Sequence, residues 1–515
     1  MTSPRLWRLG LGGVLLLTVA VRLAYASRLG DFIDGDEAVS GLMAFRIAEG
    51  RDFPLYQWEA HYSGTLMSYL GALLFLVFEP TPFVFRFSAL PLSLVATAAF
   101  AAAARTLWGP GPALAAALWV AVGPPLALGY SSQVLSAYPE ILAFGGLALW
   151  LGARLGVREG RPRDWALLGA AGGFGVYSQP LVLPVFVAIL WALRRHGAGP
   201  SWRESRLLGA GFLVGFSPFL VYNAAYRGAS VLRLAGRVLN LSRAEVTQAS
   251  NLSSLVAEKA GAYLEQLLSF PRILAANVPP FLGLPWWGAW GLVALVAAGV
   301  FLPRGRAAGE SSPAVRHPGA WELGRAFVGW SGLATILFVW PLGLDRARHL
   351  FPLYLPVALG LAALWGRLAG AVRVAAMGGL ALLLLSNLAG ARQQARDVGP
   401  RMAGLLEALR REGVGFVYTD YFIAYPLVFL SREAVLASPA AGPVNVDRFP
   451  PYTEAVSRSA RPAYVFLRDT EPSAVFVAEM RRAGGAFRHE RVGDFDLYLP
   501  DRHVRPNELA LLKRF

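Results

Sequence analysis

Hydrophobic residues in this chain come in long blocks, with little of the face-by-face periodicity of a soluble helix. Apolar runs stand at 9–27, 87–106, 112–129, 139–153, 165–193, 207–224, 286–303, 325–343, 350–366 and 374–390, separated by short basic or Pro/Gly-rich connectors. About 20 helical residues cross ~30 Å of hydrocarbon, and a spanning segment must satisfy its own backbone, so each run predicts a membrane helix. The run 165–193 is too long for one upright span and is broken at Ser178-Gln179-Pro180. With arginines on both flanks, it reads as two short helices meeting at one face. The total is about eleven spans.

The arginines set the sidedness. Arg5 and Arg8 precede the first block, and Arg154, Arg158, Arg161 and Arg163 crowd one connector, with further arginines at 194–206. Positive residues collect in cytoplasmic loops, so the N-terminus is expected to be cytoplasmic and the C-terminus outside. The stretch Gly64–Phe78 reads as a helix lying in the interface, because counting it as a span would turn the arginine-rich loops outward. Residues 28–86 then form a long first outside segment, and 225–285 a second with amphipathic helical character. Ala24-Tyr25-Ala26 resembles a signal-peptidase site, but Arg22 interrupts the block before it, so an uncleaved first span is expected.

From 391 onward the pattern changes. Strand-length runs at 415–419, 463–467 and 495–499 alternate with turns and a helical stretch at 472–483. The expected fold is an α-helical polytopic membrane bundle over 1–390 with a small C-terminal α/β periplasmic domain over 391–515. No short-period repeat is visible.

Composition agrees with the membrane. Apolar residues make up 55% of the 515, charged ones 16%, and mean hydropathy is +0.45. The net charge of +15 lies largely in loop arginines, with Lys259 and Lys513 the only lysines, and no nucleic-acid-binding motif accompanies it. A nucleic-acid partner is therefore not expected. The absence of cysteine excludes disulfides, thiolate metal sites and a cysteine nucleophile. An outward domain without disulfides fits a bacterial inner membrane.

Candidate chemistry gathers at the outer rim. Asp31, Asp34, Asp36 and Glu37 fall within seven residues directly after the first span. Crowded carboxylates beside hydrocarbon suit proton abstraction or metal coordination, although a solvated acidic loop would look the same. Glu59, His61 and Tyr62 follow among aromatics that suit a sugar or a membrane-interface belt. Tyr138, Glu140, Tyr177 and Gln179 emerge at the same face. Arg346, Arg348 and His349 cluster where an outside loop should be poor in arginine; they suit a phosphate, an anionic lipid headgroup, or pairing with Asp345. Arg86 is a weaker candidate of that kind. No Walker loop, GxSxG or HExxH is present. Gly172-Gly173-Phe174-Gly175 sits inside an apolar helix and suits close helix packing.

This layout resembles the GT-C superfamily of integral-membrane glycosyltransferases, and within it the bacterial dolichyl-phosphate-mannose-protein mannosyltransferase-like branch, which includes aminoarabinose lipid A transferases and rhizobial core-oligosaccharide transferases. The residues carrying the resemblance are Asp36-Glu37-Ala38, Ala48-Glu49-Gly50, Tyr62-Ser63-Gly64 with Tyr69-Leu70, Arg86-Phe87-Ser88-Ala89-Leu90, and Arg348-His349-Leu350-Phe351-Pro352-Leu353-Tyr354. It covers 1–390 by organisation, and the first ninety residues carry its more specific pattern. Members often follow the first acidic pair with Glu-Lys-Pro-Pro or His-Pro-Pro; Glu59-Ala60-His61-Tyr62 stands here instead. Gln179 replaces a lysine frequent in the later turn, which shifts phosphate binding toward Arg346, Arg348 and His349.

The resemblance implies transfer of a sugar from a polyprenyl-phosphate donor, with inversion, on the periplasmic face. Asp36 would be the general base, assisted by Glu37 or Glu59, with Arg346, Arg348, His349 and Arg86 on the donor phosphate. Asp34, His61, Tyr62, Tyr138, Glu140, Tyr177 and Gln179 would line the substrate. Some relatives use a divalent metal and others none; Asp36 and Glu140 are the carboxylates that would hold one. The acceptor would be a glycan, a lipid or a protein. A transporter or flippase of a lipid-linked glycan is the alternative. It would place charges at mid-membrane, whereas here they gather at one rim. A non-catalytic assembly protein would explain the C-terminal tail but leave the acidic loop unaccounted for.

Overall fold

Helices stand where the apolar blocks predict them. The computed structural model describes residues 4–509 apart from 136, 239–267, 269–281, 303–318, 340–346, 442–443 and 445. The helices of the first part are α1 (Pro4–Leu29), α2 (Gly35–Ala48), α3 (Leu66–Phe75), α4 (Pro82–Arg86), α5 (Leu90–Trp108), α6 (Pro110–Ala121), α7 (Pro125–Ser132), α8 (Tyr138–Gly156), α9 (Pro162–Ser178), α10 (Leu183–Arg195), α11 (Trp202–Ala225) and α12 (Ala229–Val238). They continue with α13 (Trp286–Phe301), α14 (Ala320–Val339), α15 (Tyr354–Arg367) and α16 (Gly370–Gln394).

Among the described residues, six helices are long and apolar enough to cross a bilayer, and the bent pair α6 and α7 adds a seventh. α9, α10 and α13 are shorter, and α8 carries Glu140 and Arg154 near its ends. Each of the expected spans is thus occupied by a helix. The expected span 112–129 is not straight: α6 and α7 meet at 71°. Gly123-Pro124-Pro125 lies at the bend, where two consecutive prolines offer no amide to continue the ladder. The expected span 350–366 is entered through a 3-10 stretch, Ala347–Leu353, where Pro352 removes an amide. The expected outside segment 225–285 falls mostly outside the described residues, α12 being its described part.

The stretch expected to lie in the interface forms α3, too short to span. It buries Met67, Ser68, Gly71 and Ala72, while Leu73 and, just beyond its end, Leu76, Val77 and Phe78 are exposed. An apolar outer face on a short helix beside spanning helices suits the headgroup boundary. α9 and α11 pack through glycines. A methyl group at Gly169 would collide with the Leu208 carbonyl, at Gly173 with Phe212, at Gly211 with Ala166 and at Gly215 with Ala170. Two glycine pairs spaced by four therefore bring the backbones into direct contact.

The C-terminal part comprises α17 (Ala403–Arg411), β1 (Phe416–Tyr418), α18 (Tyr421–Leu430), β2 (Leu436–Ser438), α19 (Pro450–Arg458), β3 (Ala463–Leu467), α20 (Glu471–Arg482), β4 (Phe487–Val492) and β5 (Phe495–Pro500). The sheet order is β2-β1-β3-β5-β4, with β1 parallel to β2 and β3, and β5 antiparallel to β3 and β4. The three strands and the helix read from the sequence are present; β2, β4, α17, α18 and α19 were not foreseen. β4 is largely polar, and β2 is only three residues long. α18 is apolar enough to look like core anywhere.

α18 docks on α2. Val39, Leu42 and Met43 share one buried core with Tyr425, Leu427, Val428 and Phe429. The helix that carries the acidic cluster is therefore covered by the C-terminal domain, which brings that domain to the chemistry.

Candidate active site

The acidic cluster divides because of helix geometry. Asp34 is the N-cap of α2, its Oδ1 accepting the Asp36 amide at 2.9 Å. Asp36 and Glu37 follow in the first turn, where negative side chains favour the positive helix end. Successive helical residues diverge by about 100°, so these two carboxylates face opposite neighbours.

Glu37 faces inward and is fully buried, as is nearly all of Arg86. Arg86 Nε and an Nη donate to the two Glu37 oxygens at 2.8 Å each, and Arg86 also donates to the Gly30 and Phe32 carbonyls. This corrects two expectations. Arg86 is committed to Glu37 and to loop carbonyls, leaving it no open face for a phosphate, and Glu37 is a structural carboxylate with no route to an acceptor hydroxyl. A fork-to-fork pair in a dry site explains why both types are needed.

Asp36 faces the other way, with its side chain 28% exposed. Its Oδ1 accepts the Tyr421 hydroxyl at 2.5 Å and an Arg448 Nη at 3.4 Å. Among the described residues no donor meets its Oδ2. Tyr421 and Arg448 lie far beyond the membrane part, and nothing in the first ninety residues points to them. The only sequence signal available was that both belong to a domain following the last span.

Arg348 approaches Asp36 from the 3-10 stretch before α15. It lies in the electrostatic field of Tyr130, Asp36, Tyr138 and Tyr62. Tyr130, Tyr138 and Phe351 pack edge to face beneath it, with centroid separations of 4.6 Å and 5.1 Å. His349 is half-buried next to it. Arg346 and Asp345 lie outside the described residues. Asp36, Arg348, Arg448, Tyr62 and Tyr138 thus form one electrostatically linked group beside these rings.

The loop 56–64 closes through a bridge between Tyr56 and Gly64, and Glu59 and His61 adopt left-handed backbone angles, φ 56° and 57°. His61 Nδ1 meets the Tyr222 hydroxyl at 2.6 Å, and its Nε2 lies 3.4 Å from Glu59. Glu59 is half-exposed and pairs with His61 rather than with Asp36. Tyr177 donates to the Leu55 carbonyl, and Gly64 N donates to Ser178 O at 2.8 Å, so Tyr177 pins this loop instead of lining the site. Gln179 is buried in the break between α9 and α10. Gln57 ties the loop to α2 through the Asp36 carbonyl and Ser40, and Trp58 stacks on Phe449 at 4.3 Å. Glu140 is completely buried, and among the described residues neither of its carboxylate oxygens meets a hydrogen-bond partner.

Asp34 is electrostatically tense. Burial, followed by the Asp36 charge, pushes its carboxyl up to about 7. Among the described residues no group of three His, Asp or Glu side chains assembles to hold a metal.

A salt-bridged latch holds the C-terminal domain in place. Glu433, in a left-handed turn, accepts from Arg46 at 2.9 Å, Arg51 at 2.6 Å and Tyr452. Burial opposes its charge, but Tyr452, Arg51 and Arg46 outweigh burial and hold the carboxyl below the ordinary glutamate range. Arg46 also lies over the Phe449 ring at 4.7 Å, next to Arg448.

Residues 63–222 match the family model of dolichyl-phosphate-mannose-protein mannosyltransferase; Asp34, Asp36 and Glu37 lie outside the matched segment. The structure is similar to ArnT from Cupriavidus metallidurans bound to undecaprenyl phosphate, with TM-score 0.55 and 13% identity over 95% of this chain and 98% of that one. The apo state of the same protein gives TM-score 0.57 at 12% identity with the same coverage. The archaeal oligosaccharyltransferase AglB from Archaeoglobus fulgidus aligns at 13% identity and TM-score 0.49, over 95% of this chain and 74% of its own. No curated protein sequence matches. The chain is a multi-pass membrane protein with a fold like that of ArnT.

Proposed function

We propose that this chain, built on the GT-C fold, transfers a sugar from a polyprenyl-phosphate donor to an acceptor hydroxyl at the outer face of the inner membrane. The observation that carries the reading is the nearness of Asp36 and Arg348: the carboxylate lies in the field of the guanidinium, and both act on Tyr138. Displacement at an anomeric carbon needs a proton acceptor for the incoming oxygen and positive charge for the departing phosphate.

Asp36 takes the acceptor hydroxyl proton through its open Oδ2. The acceptor oxygen bonds to the anomeric carbon while the bond from that carbon to the phosphate oxygen breaks, inverting the centre. The polyprenyl phosphate leaves with the electron pair, and Arg348, His349 and Arg448 meet its charge. Arg448 suits this role because its guanidinium stands beside the proposed base, 3.4 Å from Asp36 Oδ1. The donor's tail remains in lipid, so the site lies at the rim of the helices, where α3 presents its apolar face. The sugar is a hexose or pentose, and the acceptor a glycan, lipid or protein on the same side. The N-terminus is cytoplasmic and the sheet domain periplasmic.

The test uses the full chain in proteoliposomes supplied with radiolabelled polyprenyl-phosphate sugars and cell-envelope acceptor extract. Release of free polyprenyl phosphate with label moved to the acceptor is expected, and Asp36→Asn should abolish it with insertion unchanged. Label crossing the vesicle without transfer, or full activity in Asp36→Asn, would overturn the reading.

A further inference from the structure

Tyr421 contacts the proposed base from a domain outside the membrane, and local packing is arranged to let it do so. It opens α18, directly after the N-cap Asp420, whose carboxylate accepts the Phe422 amide at 2.8 Å and the Val444 amide at 3.1 Å. The Tyr421 amide donates to the Val444 carbonyl at 2.9 Å, so the backbone beneath the ring is held on both sides. The ring packs against Tyr425 and Phe422, each at 5.2 Å. On its remaining side stands Gly35, where even a methyl carbon would lie 2.7 Å from the Tyr421 ring. The residue before Asp36 thus lacks a side chain where the phenol must enter.

We infer that Tyr421 is a positioning residue for the proposed transfer: its hydroxyl holds Oδ1 of Asp36 so that Oδ2 faces the acceptor, and the active site is incomplete without the C-terminal domain. A carboxylate on one rotatable bond pair would otherwise sample several orientations, and a charge-assisted hydrogen bond selects one. The phenol is suited to permanent donation. Burial, and then the Asp36 charge, hold it protonated far above the ordinary tyrosine range. Arg448 lies over the same ring at 5.8 Å, so phenol and guanidinium meet on the same oxygen of Asp36. This inference rests on the reading of Asp36 as the base.

Its test compares wild type, Asp36→Asn, Tyr421→Phe and Gly35→Ala as full-length protein in proteoliposomes. The groups acting on Asp36 are Asp34 and Glu37 on its own segment, Tyr421 and Arg448 from the C-terminal domain, Arg348 before α15, Tyr62 in the loop, and Tyr130 and Tyr138 at α7 and α8. All of them except the deleted hydroxyl remain in Tyr421→Phe. That variant should lose about tenfold in kcat with donor KM nearly unchanged, and its acid limb should move up by about one pH unit. Gly35→Ala, which crowds the ring from the other side, should show the same split and supplies the answer if the Phe variant does not fold. Wild-type transfer abolished by Asp36→Asn but unaltered in kcat and acid limb by both other variants would sink the inference. No wild-type transfer at all would instead sink the reading beneath it.

Discussion

Arg86 grips both oxygens of Glu37 at 2.8 Å, in a pocket from which solvent is excluded. The pair joins the start of α2 to the end of α4 and also collects the carbonyls of the turn leaving α1. Acidic residues three positions apart in sequence, Asp34 and Glu37, therefore do different work, one capping a helix and one anchoring it.

Breaking that pair strands a buried charge, which costs about 3–5 kcal/mol. Glu37→Gln and Arg86→Ala are each expected to cut the yield of folded protein and lower its thermal midpoint, measured by fluorescence-detected size exclusion of detergent extracts. Arg86→Lys should fail to rescue, since an ammonium cannot reproduce the two-pronged contact. Normal melting in Glu37→Gln would show that the pair is dispensable.

Asp34 makes stability depend on pH. With its folded carboxyl pushed up to about 7, the folded chain binds more proton there than the unfolded chain between the ordinary aspartate range and about 7. Stability then falls as pH rises through that window and levels off above it. Asn caps helices as well as Asp does, so Asp34→Asn should keep the cap and remove the slope. The melting temperature of the variant is expected to exceed wild type by a few degrees at pH 8, with the gap closing as pH falls toward the ordinary aspartate range. Parallel curves would contradict this.

The Glu433 latch runs in the opposite sense. Its carboxyl is held below the usual range, so the stability it adds is present above that range and disappears as pH falls through the lowered value. Glu433→Gln should loosen α18 from α2, raise the rate of limited proteolysis within 395–402, and reduce transfer several-fold. Wild-type protein should acquire the same protease sensitivity only in acid.

Arg348 is expected to matter for the leaving group rather than for folding, since it is half-buried on a turn beside the site. Arg348→Ala should lower kcat about a hundredfold, the scale of losing one donor to a developing anion, with little change in melting. Arg348→Lys should recover part of it. An Arg348→Ala protein as active as wild type would remove this cation from the departing phosphate.

Much of the bundle was legible because hydrocarbon is an undemanding reader. It requires only length and apolarity, so 87–106 or 374–390 can be located without knowing their neighbours, and α9 and α10 declare themselves by the Ser178-Gln179-Pro180 break. The bend between α6 and α7 was written in Gly123-Pro124-Pro125, but a block count passes over it. The candidate site was legible by type rather than by role. Asp36 lies in the field of Arg348, whereas Arg86, Glu37 and Tyr177 are engaged in structural contacts.

By itself, the chain's linear order determined that a helical membrane bundle carries an acidic first loop and ends in a mixed α/β domain. Those properties depend on local composition and on the thickness of a bilayer. Only the tertiary structure decided that Glu37 turns inward to Arg86 while Asp36 turns outward to Tyr421 and Arg448, residues 385 and 412 positions away. A helix separates adjacent side chains by direction, and long-range docking chooses what each one meets; neither partner is encoded near the residue it serves.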